Sequence, residues 1–134
     1  MRFAALGYLD ETWWASLSER EQQGFMDECF AYDETLKRNG HWAGGEALGD
    51  VRDAATVRPR DGGGVTVTDG PFAEAKEVLG GILLFEAADM AEAKELIAKH
   101  PGVRAGGFEI RPIVDLAALV QESEERRRRA AGRE

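Results

Sequence analysis

Cysteine and histidine are scarce in this sequence, and their scarcity excludes several kinds of site. Cys29 is the one cysteine, so the chain forms no internal disulfide, and we interpret it as a small buried apolar residue. His41 and His100 are the two histidines, and with Cys29 they show none of the ligand spacings of a zinc site. We therefore expect no metal.

Long apolar runs and phosphate-binding glycine motifs are also missing. No run approaches the roughly 20 apolar residues that cross a bilayer, so we expect no membrane partner. The first ten residues are too short and too acidic for a signal peptide, and we expect a cytoplasmic protein. The sequence has no P-loop, dinucleotide-binding fingerprint or nucleophile elbow, so no cofactor is expected.

Positive charge is in deficit, which argues against a nucleic-acid partner. The chain carries 25 acidic and 17 basic residues, a net charge of -8, and such a surface repels phosphate backbones. The arginine run 126–129 follows glutamates placed four residues earlier, the favourable order for helical ion pairs. We therefore interpret the run as part of a solvated helix.

Apolar residues make up 43% of the 134 residues, enough for a hydrophobic core that needs no disulfide or bound metal. Ser18 and Glu21 form a capping box, and Phe25, Cys29 and Leu36 follow at helical spacing. The pattern predicts, in chain order, a strand over 2–9, a helix over 18–39, a strand over 41–48, a hairpin over 54–58 and 65–68, a strand over 80–87, a helix between 89 and 100, a strand over 108–112 and a helix from 115. Two glycines in the second strand indicate a bulge or a close backbone approach.

This order of elements predicts an α+β fold. Two helices among several strands cannot cover both faces of a sheet, so we expect them on one face of a mostly antiparallel sheet, a ferredoxin-like plan with an added hairpin. The other face is apolar as well, and a second copy of the chain in a two-fold dimer is its expected cover. Residues 1–113 are predicted to form the domain, and 114–134 a charged C-terminal helical extension.

The loop Asp69-Gly70-Pro71-Phe72 is the first candidate site. Gly70 permits backbone shapes that other residues resist, and Pro71 fixes its own φ, so a rigid turn could hold Asp69 at the mouth of a pocket. Glu74 and Lys76 follow in a charged segment. An ordinary turn at a strand end, followed by a solvated loop, explains the same pattern.

The second candidate site is the segment from His41 to Glu46. Imidazole is a frequent general base, and Glu46 could be its carboxylate partner if the glycine bulge turns both inward. A surface histidine at a helix end is the alternative. For His100, a cation favoured by the dipole of the preceding helix is the expected role. Trp13 and Trp14 lie in a connection and could line a pocket or an interface, or only pack.

The segment from Val67 to Gly81, which contains Asp69-Gly70-Pro71-Phe72, resembles the signature of the YCII-related family in its DGPF-motif branch. Residues 40–48 and 109–113 are similar to the second and last strands of that family. The resemblance implies a ferredoxin-like fold that pairs into a dimeric α/β barrel, and an association with sigma factors. Other members pair a histidine of the first helix with an aspartate, but this chain has no histidine over 18–39, so that mechanism is not carried over.

Two functions are therefore expected from the sequence. The first is a small-molecule-binding or enzymatic site near the DGPF loop in the barrel cleft. Its predicted catalytic residues are Asp69 and His41, and its predicted ligand-binding residues are Glu46, Arg58, Gly70, Pro71, Phe72, Glu74 and Lys76. The alternative is a non-catalytic regulatory interaction module linked to a sigma factor. The sequence does not decide whether the protein is an enzyme.

Overall fold

The computed structural model describes residues 1–133 and has the expected α+β architecture. Every predicted strand and helix is present, and one further short helix, α1, follows the first strand. The elements are β1 Arg2–Asp10, α1 Glu11–Ser16, α2 Glu19–Arg38, β2 Trp42–Ala47, β3 Ala55–Pro59, β4 Val65–Asp69, β5 Glu77–Glu86, α3 Met90–Ala98, β6 Gly106–Pro112 and α4 Leu116–Ala131, with 3₁₀ turns at Val51–Asp53 and Pro101–Ala105.

The main sheet has four strands in the order β2-β5-β1-β6, and every neighbouring pair is antiparallel. Strands β3 and β4 form a separate hairpin between β2 and β5. Without that hairpin and α1, the chain runs strand, helix, strand, strand, helix, strand, with β1 and β5 in the centre. The ferredoxin-like plan with an added hairpin is therefore confirmed.

One face of the sheet packs against α2 and α3. Phe3 and Phe85 pair across β1 and β5, are fully buried, and stack with ring centroids 5.6 Å apart. Leu36 of α2 and Ile97 of α3 join them in the core. Because alternate residues of a strand point to opposite faces, these contacts put both helices on the same side of the sheet, as predicted.

The opposite face of the sheet is apolar and only half-buried. Ala4 and Leu6 of β1 alternate with the core residues, and Leu84 and Ile82 of β5 pair with them. Within residues 1–133, helix α4 buries none of its side chains, so it does not cover this face. No helix over the same residues is both long and apolar enough to cross a membrane.

Two local expectations were wrong. Trp13 and Trp14 lie on α1 rather than in a loop, because the Asp10 side chain accepts the backbone N–H groups of Thr12 and Trp13 and caps a short helix. Strand β5 begins at Glu77, three residues before the predicted start, because its pairing with β1 continues to the end of that strand.

Candidate functional site

A cavity of about 550 Å³ lies between α2 and the sheet. Helix α2 contributes Phe25, Met26 and Phe30 to its wall, and the sheet contributes Leu83 and Phe108. A volume of this size and an apolar, aromatic lining are typical of sites for small organic molecules. A small-molecule site was expected in the barrel cleft near the DGPF loop, and residues 69–72 do not line this cavity.

Glycines on the helix-facing side of the sheet make room for this cavity. Gly7 and Gly81 pair across β1 and β5, and Gly45 of β2 lies near them in the same lining. A Cβ on Gly7 would lie 3.1 Å from the Phe108 ring, and one on Gly45 would lie 2.8 Å from the Trp42 ring. The missing side chains therefore let both rings lie close over the sheet, where they cover the glycine backbone.

His100 and Asp33 form the polar centre of the cavity wall. The His100 side chain is 6% exposed, and its Nε2 lies 2.9 Å from Oδ1 of Asp33, which is 16% exposed. The backbone N–H of Gly102 donates to His100 Nδ1 at 2.9 Å. Tyr32 and Phe108 contact the imidazole edge to face, with ring centroids 5.2 and 5.1 Å away. The imidazole is therefore held on all sides.

These hydrogen bonds assign the tautomer of His100. Nδ1 accepts the N–H of Gly102 and so carries no proton, which leaves the ring proton on Nε2, where it is donated to Asp33. Both imidazole nitrogens are thus occupied. The Asp33 carboxylate keeps free lone pairs and lines the cavity, so it is the group able to accept a hydrogen bond or a proton from a bound molecule.

Lys37 and Glu34 follow Asp33 on α2 and also line the cavity. The Lys37 ammonium lies over the Trp42 ring, with Nζ 4.8 Å from its centroid, a cation–π contact. Among residues 1–133, no group of three or more histidine, cysteine or acidic side chains is placed so that it could hold a metal ion.

Cys29 lies one helical turn before Asp33 and lines the same cavity. Burial raises the pKa of its thiol to about 11, and the negative charge of Asp33 acts in the same direction. Since the thiolate is the nucleophilic form of cysteine, the thiol is protonated and weakly reactive near neutral pH. The expectation that Cys29 is buried is confirmed.

Alkylation of Cys29 by iodoacetamide is expected to be slow at pH 8 and to rise with pH toward a midpoint near 11. A shift of two pKa units lowers the thiolate fraction about 100-fold, because each unit is a factor of ten. Asp33→Asn removes one cause of the shift and is expected to move the midpoint lower, while burial keeps it above that of an ordinary thiol. The chain unfolded in urea is the control. A folded midpoint equal to the unfolded one would contradict this expectation.

The structure separates the residues predicted for the second site. Glu46 lines the cavity, but His41 does not, and the two do not pair. His41 Nδ1 instead lies 2.8 Å from the backbone oxygen of Glu86 at the end of β5. Lys76, which was predicted to bind a ligand beside the DGPF loop, is exposed, and its Nζ lies 3.6 Å from Asp10 Oδ2 at the start of α1.

The DGPF loop lies on the β3–β4 hairpin rather than in the cavity wall. Gly70 has φ +107°, donates its N–H to Ala54 and accepts the Thr56 hydroxyl at 2.8 Å. Arg58 donates to the backbone oxygen of Phe72 at 2.6 Å and lies over the Phe72 ring, 3.8 Å from its centroid. The other residues predicted for this site are exposed to solvent, namely Asp69, Pro71 and Glu74. Their role in a site stays a prediction.

Replacing Thr56 by valine is expected to lower the free energy of unfolding by about 1 kcal/mol and to loosen the DGPF loop. The change keeps the shape of a buried side chain but removes the hydroxyl that Gly70 accepts. Hydrogen exchange of the Gly70 amide should become faster. Thr68→Val is the matched control, because Thr68 pairs with Thr56 across the hairpin and is exposed. Equal exchange in both variants would contradict this account of the loop.

Asp33 and His100 were not among the predicted site residues. The expected role of His100 as a cation favoured by the helix dipole was wrong, because its Nδ1 accepts the Gly102 N–H, as an imidazolium cannot, and its buried side chain caps the 3₁₀ turn Pro101–Ala105. Asp33 gave a usable signal: it stands four residues after Cys29 and three before Leu36, on the apolar face of α2. A carboxylate at such a position needs a buried partner or a function.

Comparisons with known proteins give the family of the chain. The family model of the YCII-related domain matches residues 1–117. An uncharacterized protein of Rhizobium meliloti (strain 1021) is 32% identical over 117 residues, which cover 84% of this chain and 92% of the relative.

Among solved structures, a similar one is 5-chloro-2-hydroxyhydroquinone dehydrochlorinase from Burkholderia phenoliruptrix AC1100, in complex with 2,5-dihydroxybenzoquinone. It is 17% identical, with a TM-score of 0.49 over 85% of this chain and 94% of that one. Membership of the DGPF-motif branch stays a prediction. The match over residues 1–117 and the curated relative together show that the chain belongs to the YCII-related family.

Proposed function

We propose that the cavity between α2 and the sheet binds a small organic molecule, and that Asp33 accepts a hydrogen bond or a proton from it. The observation that carries this proposal is the His100–Asp33 pair in the wall of an otherwise apolar cavity. Replacing a buried polar pair by apolar residues is often neutral or stabilising, so stability alone gives little reason to keep it. A ligand that uses the free side of the carboxylate gives such a reason.

The division of labour within the pair follows from its hydrogen bonds. His100 is a positioning residue, because both of its nitrogens are already engaged and its donor fixes one carboxylate oxygen. Asp33 is the group that touches the ligand and could serve as a general base. The protonated thiol of Cys29 is not available as a nucleophile near neutral pH.

A thermal-shift screen of small organic compounds tests this proposal. A ligand at 100 times its Kd adds about 2.7 kcal/mol of stability, which such a scan detects. Asp33→Asn should abolish or strongly reduce the shift, whereas Asp27→Asn should not, since Asp27 lies exposed on the same helix away from the cavity. Ligands that bind both variants equally well would refute a role for Asp33.

A homodimer is the second part of the proposal. The half-buried apolar face formed by Ala4, Leu6, Ile82 and Leu84 supports it, because a second copy would remove that face from water in a dimeric α/β barrel. Leu6→Glu should yield a monomer in sedimentation equilibrium, while Leu116→Glu on the exposed face of α4 should not. Dimerisation of Leu6→Glu at wild-type strength would exclude this face.

The DGPF loop keeps a proposed place in this function. In a dimer, Asp69 and His41 would meet a surface that the single chain lacks, and the loop could then complete a site. The affinities of Asp69→Asn and His41→Gln for a ligand found with the wild type test whether these residues belong to the site. Unchanged affinity in both variants would remove the loop and His41 from the site.

A regulatory interaction module linked to a sigma factor is the alternative function. Helix α4 supports it, because Leu116, Leu119 and Val120 are exposed on a helix that buries no residue. Capture of a purified sigma factor by the full chain, lost on truncation after Ile113, is the result expected from this alternative. No capture by the full chain would count against it.

A further inference from the structure

Asp33 and Lys37 stand one helical turn apart on α2, yet their side chains have different partners. Acidic and basic residues four apart on a helix often pair with each other. Here Asp33 pairs with His100, and the Lys37 ammonium lies over Trp42 instead. Over residues 1–133 no ion pair involves Lys37. The cavity wall therefore presents a carboxylate and a separate cation.

A cation without a carboxylate partner at an apolar wall attracts an anionic ligand group. The attraction between opposite charges grows as water is excluded, and a ligand seated on apolar residues excludes it. Cation–π contact with Trp42 orients the ammonium but leaves its N–H donors free for a further acceptor. Glu34 and Glu46 also line the cavity, and their negative charges oppose an anion, so removing the charge of Glu34 should strengthen anion binding.

The shape of the cavity indicates a flat ligand. On its sheet side the rings of Phe108 and Trp42 lie over the backbone of Gly7 and Gly45. Met26 and Phe30 of α2 lie in the facing wall. Aromatic rings opposite a layer of apolar side chains favour a ring over a branched aliphatic group, because a ring contacts both layers over its whole area.

We propose that the ligand is a flat ring that carries an anionic or acidic oxygen, such as a carboxylate, an enol or a phenol, and that Lys37 is the residue that selects it. The inference rests on the proposed small-molecule site. In this arrangement the ring lies between α2 and the aromatic rings on the sheet side, with its oxygen at the Lys37 ammonium, and a C–H or O–H bond of the ligand faces Asp33.

This placement also gives Lys37 a part in any proton transfer. The proton of the ligand moves to the Asp33 carboxylate, and the electron pair of the broken bond stays on the ligand and spreads to its oxygen. The Lys37 ammonium stabilises that oxyanion, and return of the proton from Asp33 to another ligand atom gives an isomer. The step needs no other reactant.

Matched ligands that differ in charge alone test the selection. Naphthoate and acetylnaphthalene have the same ring and nearly the same volume, neither donates a hydrogen bond to Asp33, and their affinities are measured by NMR titration on the full chain. The wild type is expected to bind naphthoate about 10-fold more tightly, an effect typical of a hydrogen bond to a charged group. Lys37→Gln should abolish that preference, and Glu34→Gln should increase it. Lys94→Gln, on the exposed face of α3, alters the net charge equally and should leave it unchanged.

The outcomes separate this inference from the function on which it rests. If both compounds bind equally to the wild type, or if Lys37→Gln keeps the preference, charge selection by Lys37 is wrong. A ligand of another kind whose binding depends on Asp33 would still leave the cavity as the site. If no compound of any kind binds at the cavity residues, both proposals are wrong. Loss of the preference in Lys94→Gln would assign it to net charge and overturn the role of Lys37.

Discussion

Replacing Phe85 by alanine is expected to lower the free energy of unfolding by about 3–5 kcal/mol, as deletion of a buried phenylalanine ring does in other cores. Phe85 is 0% exposed near the C-terminal end of β5 and stacks on Phe3. Leu36 and Ile97 belong to the same cluster, so the change opens a cavity where both helices meet the sheet. Since domains are stable by about 5–15 kcal/mol, urea unfolding followed by circular dichroism should show a large shift of the midpoint.

Phe72→Ala is the matched control for this change. Phe72 is 67% exposed, and its ring contacts Arg58 at the surface. The substitution removes the same atoms from a solvated position, so we expect a loss of stability below about 1 kcal/mol. Equal losses in the two variants would mean that the stack of Phe3 and Phe85 is not the centre of the core.

Much of the fold could be predicted because its signals are local. The capping box of Ser18 and Glu21 is present, and α2 begins at the next residue, Glu19. The glycine bulge predicted in the second strand is present as a register shift between Trp42 and Gly44. The polar start of β5 was missed because Glu77 breaks the apolar pattern, and only pairing with Asp10 at the end of β1 keeps it in the sheet.

The polar centre of the cavity could not be predicted from local sequence patterns. Asp33 and His100 are 67 residues apart, and their contact exists only because α2 packs beside the 3₁₀ turn after α3. A histidine followed by proline and glycine gives the same sequence pattern whether it is exposed or buried. The DGPF motif was conspicuous because it is contiguous, yet Thr56 and Arg58 hold its loop on the hairpin. Sequence patterns reveal contiguous signals, while sites assembled from distant segments need the packing.

Replacing His100 by alanine is expected to lower the free energy of unfolding by about 1.5–3 kcal/mol, the range for a hydrogen bond to a charged group. The change leaves the Asp33 carboxylate and the Gly102 N–H without partners and opens space beside Tyr32 and Phe108. Asp33→Asn keeps an oxygen that can accept the Nε2 proton, so it should cost about 1 kcal/mol or less. Urea unfolding of the wild type and both variants measures these differences.

The double variant separates the pair from its surroundings. The cycle uses Asp33→Ala, because Asp33→Asn keeps an acceptor for the Nε2 proton. If the hydrogen bond between His100 and Asp33 carries the effect, His100→Ala and Asp33→Ala together should be less harmful than the sum of the single substitutions, with a coupling energy of about 0.5–3 kcal/mol. His41→Ala is the control, since His41 contacts a backbone oxygen near the surface and should matter little. Nitrogen-15 NMR of the wild type should find the His100 proton on Nε2. A proton on Nδ1, or additive losses, would contradict the assignment of Asp33 as the acceptor that His100 holds in place.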